Sequence, residues 1–172
     1  MDAIDRRLLT CLQRDGRISM QALSEIVHLS PSACHRRIQR LEKAGVIRDY
    51  VALTNARKLG RSTTVFVEIS LSGQADELLD RFEKEVALIP DVLECHLMTG
   101  RYDYLLKVVA KDTEDFARIH RQSLARLPGV AQLLSSFALK TVFKTTAIPV
   151  DLGLGPRPLQ PSTHRATILA RL

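Results

Sequence analysis

The sequence predicts an α+β protein in two unlike parts, an N-terminal winged helix-turn-helix domain followed by a C-terminal ferredoxin-like βαββαβ domain. Three observations carry that prediction. Residues 1–45 hold three apolar stripes at helical spacing, residues 64–143 change to alternating runs separated by two helical stripes, and the second part repeats itself. At an offset of 38 residues Ile89-Pro90-Asp91-Val92 returns as Leu127-Pro128-Gly129-Val130, Leu78 as Phe116, Val86 as Leu124, and Asp76-Glu77 as Glu114-Asp115. Two βαβ units of equal length joined by a tight hairpin describe an antiparallel sheet with both helices on one face.

Taken in order, Ile4, Leu8, Cys11 and Leu12 share one face of a first helix, with Asp5, Arg6, Arg7 and Arg14 off it. Asp2 and Asp5 suit the positive helix end or are simply solvated. A second helix spans 20–27 and a turn follows at His28-Leu29. The Ser30-Pro31-Ser32 step then starts a third, a hydroxyl cap followed by proline at the first helical position. That helix runs to Ala44 and stops at Gly45. Cys34, Ile38 and Leu41 form its buried stripe, and Ser32, His35, Arg36, Gln39, Arg40 and Lys43 face the other way. The apolar and aromatic run at 46–53 predicts a short strand or wing. Residues 54–63 have little periodicity and are assigned as the hinge.

In the second part Val65, Val67, Ile69 and Leu71 alternate along a first strand. A helix follows from about Ala75 with Leu78, Phe82, Val86 and Ile89 as its stripe, then a second strand at 92–98. Residues 100–103 form a turn, 104–109 a third strand of uncertain register, 112–127 a second helix and 133–143 the last strand. With Val65, Val67 and Ile69 against the helices, Phe66 points to the bare sheet face. So do His96 and Met98 if Leu93, Cys95 and Leu97 point inward. Such a face predicts sheet-to-sheet dimerisation, because large apolar patches seldom stay wet.

Charge is uneven. Residues 1–61 hold twelve Lys/Arg against six Asp/Glu, residues 62–150 ten against twelve, and the tail three against one. The basic excess lies with the three helices, as expected of a part that meets phosphate. Cys11, Cys34 and Cys95 are isolated in apolar patterns without metal spacing, and read as core cysteines in a reducing cytoplasm. Without an apolar leader or a run long enough to span a bilayer, the chain is expected to be cytoplasmic, with no membrane partner. No phosphate loop, dinucleotide loop or nucleophile elbow is present, and the five histidines make no metal spacing. The expectation is therefore no enzyme, no metal and no cofactor. Residues 151–172, with Gly153, Gly155, Pro156, Pro158 and Pro161 close together, are read as a tail that is mobile or ordered only against a partner subunit.

A capped, cationic helix with one buried stripe is what the DNA major groove accepts. Ser30, Ser32, His35, Arg36 and Arg40 are the candidates for groove or phosphate contact. Arg37, beside the buried stripe, either joins them or forms an internal ion pair. At the 99–103 turn, Gly100 lets backbone amides approach a carboxylate and Asp103 offers a partner for an ammonium; equally, Gly100 serves only the turn and Asp103 caps it or binds Arg101.

The chain resembles the Lrp/AsnC (feast/famine) family of transcription regulators. The resemblance rests on Asp5-Arg6, Asp15-Gly16-Arg17, Leu29-Ser30, residues 37–42, Gly45-Val46-Ile47, Leu59-Gly60, Thr99-Gly100 with residues 103–106, Pro128-Gly129-Val130, Ser135-Ser136 and residues 145–149. It covers residues 2 to about 150. It implies a sequence-specific regulator that binds double-stranded DNA, carries a RAM/ACT-like effector domain, forms homodimers and often octamers, and binds an amino acid between dimers. Carried onto this chain, the effector residues are Thr99, Gly100, Tyr102 and Asp103, with Ser135 and Ser136 as partners. An architectural DNA-binding protein without an effector is the alternative.

Overall fold

The computed structural model describes residues 1–150; the tail expected at 151–172 lies outside the described residues. Contacts divide the described chain into two compact units, residues 53–141 in one and residues 1–52 with residues 142–150 in the other.

The helical unit contains α1 (Ala3–Leu12), α2 (Met20–Val27) and α3 (Pro31–Lys43). Each helix starts at an extended residue whose side chain accepts from a first-turn N–H: Asp2 from Asp5, Ser19 from Ala22 and Ser30 from Ala33. These caps satisfy donors that the helix itself leaves unpaired. Asp2 and Asp5 cap each other reciprocally. Leu8, Leu23, Val27, Cys34 and Ile38 close the core between the helices. The turn joining α2 to α3 passes through His28 at φ 58 and ψ 48, a left-handed conformation that usually selects glycine.

The wing strand predicted at 46–53 does not form in this chain. Val46, Tyr50, Val51 and Leu53 are 49–76% exposed, because a strand needs a partner and none of the described residues supplies one there. Tyr50 instead donates its hydroxyl to Glu42 Oε1 at 3.0 Å; burial and that carboxylate push the phenol up to about 12.

The sheet unit contains β1 (Thr63–Leu71), α4 (Asp76–Val86), β2 (Val92–Leu97), β3 (Tyr104–Ala110), α5 (Thr113–Gln122) and β4 (Val130–Phe137). The strands lie in the order β2-β3-β1-β4, every neighbouring pair antiparallel, which is the arrangement expected of a doubled βαβ unit. Val65, Val67 and Ile69 of β1 meet Val108, Leu106 and Tyr104 of β3 across the register, and Phe82, Val86, Phe116 and Ile119 cover them from the helix side. The Phe82 ring lies 4.4 Å from that of Tyr104.

The sheet unit departs from the sequence expectations in α5, β4 and β2. The helix predicted to run to Leu127 stops at Gln122, and a 3-10 turn (Leu124–Arg126) follows, which lets Leu124 and Leu127 both enter the core. The strand predicted to reach Phe143 ends at Phe137. Beyond it the chain leaves the sheet, and Ile148 joins the helical unit: its N–H donates to Gln13 Oε1 at 2.6 Å and its carbonyl accepts from Gln13 Nε2 at 3.0 Å. By their contacts residues 142–150 group with the helical unit. In β2 the register shifts between Val92 and Glu94, so Leu93 is an extra residue in the ladder, and it is exposed rather than buried. Cys95 and Leu97 do lie opposite Leu106 and Tyr104 on the helix side, yet both are exposed because β2 is the edge strand. Of the three cysteines Cys34 is buried, Cys11 half-buried and Cys95 exposed, so only Cys34 is a full core residue.

The other sheet face presents Phe66 and Leu134, 39% and 46% exposed, and half-buried Leu105, with Leu105 and Leu134 on either side of Glu68. Lys107 Nζ sits 2.6 Å from Glu94 Oε1 on that face, beside His96. That ion pair holds the Glu94 carboxyl below the usual range. Met98 lies beyond β2, half-buried.

Candidate functional site

The outer face of α3 is built by its cap and its period. Ser30 Oγ accepts from the Ala33 N–H at 3.2 Å and lies 3.1 Å from Ser32 Oγ, so the two hydroxyls stand together at the helix start. Cys34, Ile38 and Leu41 are buried, which turns Ser32, His35, Arg36, Gln39 and Lys43 to solvent. Arg36 and Lys43 make no ion pair among the described residues. Arg37 and Arg40 do. Arg37 Nη1 donates to Asp2 Oδ2 at 2.7 Å and to Asp5 Oδ1 at 2.8 Å, and Arg40 Nη2 donates to Asp5 Oδ2 at 2.7 Å.

The open question over Asp2, Asp5 and Arg37 is thereby answered: Arg37 is internally paired, Asp5 is fully buried, and both carboxylates act beyond their own helix end. Burial alone would raise the Asp5 carboxyl, but the Arg37 hydrogen bond, the Asp2 N–H and the nearby Arg40 outweigh it and hold it below its ordinary value. Asp2 is lowered first by the Asp5 N–H and then by Arg37. The spacing of Asp2 and Asp5 signalled a helix cap; nothing in the sequence showed that α3 would deliver two guanidinium groups to the same carboxylate.

In the sheet unit the 99–103 turn has exposed Thr99, Gly100 and Arg101, and half-buried Tyr102 and Asp103. Gly100 has φ 126, so the turn itself requires glycine. Asp103 is engaged within the chain: Oδ2 accepts from the Leu71 N–H at 2.7 Å and Oδ1 from Gln74 Nε2 at 3.1 Å. It ties the end of β1 to the turn and does not bind Arg101. Ser135 and Ser136 stand on β4 opposite Val67 and Phe66, so β1 separates them from β3 and the turn, and they face opposite sides of the sheet. The chain alone does not bring the six effector candidates together. A groove of about 390 Å³ lies instead beside β2, lined by residues including Glu83, Val86, Leu93, Leu97 and Tyr104, and by none of the six.

Comparison with known proteins decides the family. A family model described as the Lrp/AsnC ligand binding domain matches residues 64–148, and one described as a winged helix-turn-helix DNA-binding domain matches residues 1–48. The leucine-responsive regulatory protein of Escherichia coli (strain K12) is 44% identical over 130 residues, covering 76% of this chain and 79% of that protein.

The chain belongs to the Lrp/AsnC family.

As an Lrp/AsnC protein it is a DNA-binding transcriptional regulator and not an enzyme. Solved structures are similar to it as well. A transcriptional regulator from Neisseria meningitidis, crystallised as a complex with L-Met, is 36% identical with a TM-score of 0.84, covering 90% of this chain and 99% of that one. An AsnC family regulator from Agrobacterium tumefaciens is 37% identical with a TM-score of 0.85, covering 90% of this chain and all of that one. Among the described residues no helix of this Lrp/AsnC chain is long and apolar enough to cross a membrane.

Proposed function

We propose that this regulator reads a pseudo-palindromic operator with α3, through Ser30, Ser32, His35, Arg36 and Arg40, and responds to an amino acid bound near the 99–103 turn. The observation that carries the first half is the outer face of α3, with a Ser-Pro cap at its start, Arg36 and Lys43 along it without an ion pair among the described residues, and a buried opposite stripe. A homodimer formed through the bare sheet face of Phe66, Leu105 and Leu134 would set two such helices about one helical turn apart, roughly 34 Å. The bare face and the turn at Gly100 both favour a site completed by other subunits, because one chain leaves the candidate residues dispersed. Assembly to an octamer and a cytoplasmic location belong to the same reading. The relatives support an amino-acid effector, since one is named for its response to leucine and another was crystallised with L-Met.

The effector acts by favouring one assembly state, since a ligand shifts an equilibrium only by its differential affinity. Light scattering with each of the twenty amino acids should show an assembly state that changes with one or a few of them. No change with any amino acid, together with equal affinity for promoter and random DNA, would point to an architectural protein. For DNA reading, Arg36→Ala should weaken binding and lower the salt slope by about one phosphate contact, without changing oligomer size.

A further inference from the structure

We infer that Asp5 is a positioning residue for DNA reading: from inside the helical unit its carboxylate sets the orientation of Arg40 on the outer face of α3 and withdraws Arg37 from the phosphates. This rests on the reading that α3 enters the groove. The Asp5 carboxyl is 0% exposed, while the Arg40 side chain that donates to it is 63% exposed. One end of the interaction is therefore part of the interior and the other part of the surface. A guanidinium has five donors in a planar fork, and Arg40 gives one to Asp5, at Nη2. The remaining four stay available to a base edge or a phosphate oxygen.

An arginine side chain is rich in rotamers, and fixing it before binding lowers the ordering cost of association. Arg36, four residues earlier on the same face, has no such partner among the described residues. Arg37, one residue on from Arg36, is turned toward α1 and is 25% exposed, with Nη1 shared between Asp2 and Asp5. The three arginines thus stand in three conditions: unpaired, withdrawn and aimed.

Packing alone does not call for a charge at this position. An apolar residue beside Leu8 and Leu9 would avoid the desolvation of a carboxylate, and buried ion pairs seldom stabilise more than their hydrophobic replacements. What an apolar residue cannot do is hold a guanidinium in one place at the surface.

The test uses the full-length protein and two duplexes, one enriched by the unmutated protein from a random-sequence pool and one scrambled. Asp5→Asn is expected to lower the ratio of enriched to scrambled affinity about tenfold, the scale of one lost base-directed fork. Its affinity for scrambled DNA should hold or rise, and its salt slope should steepen by about one as Arg37 reaches a phosphate. Asp2→Asn, which loosens the cap and Arg37 but leaves the Asp5–Arg40 contact, should lower thermal stability and keep the ratio. An unchanged ratio in Asp5→Asn, or an equal fall in both variants, overturns the assignment. If Asp5→Asn does not fold, Arg40→Lys decides the matter. It keeps the charge but lacks the planar fork that Asp5 holds, so a lost ratio at constant salt slope supports an aimed fork at Arg40 and a retained ratio overturns the assignment. Arg36→Ala separates the two readings: binding unaffected by that change removes α3 from the groove altogether, whereas weakened binding with an intact ratio in Asp5→Asn removes only Asp5.

Discussion

The two units close their interiors by different means. In the sheet unit Val65, Val67, Ile69, Leu106 and Val108 are wholly buried under Phe82 and Ile119, and three of its carboxylates tie down the ends of β1. Asp103 receives the end of β1. Asp91 and Asp115 receive Arg61, at 3.0 and 3.2 Å, just before β1. In the helical unit a smaller apolar cluster is joined by a buried charged group, Asp5, with two arginines of α3 upon it. The helical unit thus closes around a buried charge that two arginines of α3 share, whereas the core of the sheet unit is apolar.

The sharpest way to break that contrast is to damage the dry core. Phe82→Ala should cost about 3–5 kcal/mol, the usual range for a fully buried phenylalanine, and should lower the thermal midpoint of the sheet unit. A loss below about 1 kcal/mol would mean that this core is not what holds the unit.

Next in size is a paired change at two left-handed glycines. A Cβ at Gly129 (φ 70) would come within 2.6 Å of Leu78 Cδ1, while one at Gly45 (φ 69) meets nothing within 4 Å. Gly45→Ala should therefore cost about 1–2 kcal/mol from backbone strain alone, and Gly129→Ala that much plus whatever Leu78 loses in moving aside. Equal losses in chemical denaturation would show that Leu78 yields freely.

Asp5→Ala should destabilise the helical unit by about 2 kcal/mol, less than for a sealed ion pair because both arginines can regain water. Its acid response follows from the sign of the shifts. The carboxyls of Asp2 and Asp5 are lowered on folding, so the stability they add is present above the unfolded value of about 3.9 and is lost as pH falls through their folded values. Circular dichroism should show the unmutated chain losing stability on acidification below about pH 4, and Asp5→Ala losing less over that interval. Parallel curves would remove Asp5 from the acid response.

The smallest expected effect is a gain. His28→Gly should relieve a left-handed non-glycine residue and add at most about 1 kcal/mol, partly offset by the freedom glycine brings to the unfolded chain. A fall in the melting temperature would mean that the His28 side chain contributes more than its backbone costs.

Much of the fold was legible because its signals are local or periodic. The Ser30-Pro31 start, the stripe of Cys34, Ile38 and Leu41, and the alternation of Val65, Val67 and Ile69 each depend on residues a few positions apart. The doubled turn at Pro90 and Pro128 needed only a count. The candidate sites were less legible because their partners are remote. Arg37 and Arg40 find Asp5 from more than thirty positions away, and Asp103 finds Leu71 at the end of the neighbouring strand rather than Arg101 close to it in sequence. The wing at 46–53 carried a strand-like composition, but composition does not provide the neighbouring strand that would hold it.

By itself, then, the order of residues determined which segments are helices or strands, which face of each is apolar, and where the cations gather. Periodicity and caps act within a turn or two of backbone, and the chain cannot avoid them. Only the tertiary structure decided which of those cations stays free, where β4 ends and the chain passes to Gln13, and that a carboxylate in α1 holds the arginines of α3. Those outcomes depend on which distant polar groups meet once the apolar faces have closed, and no local pattern encodes that meeting.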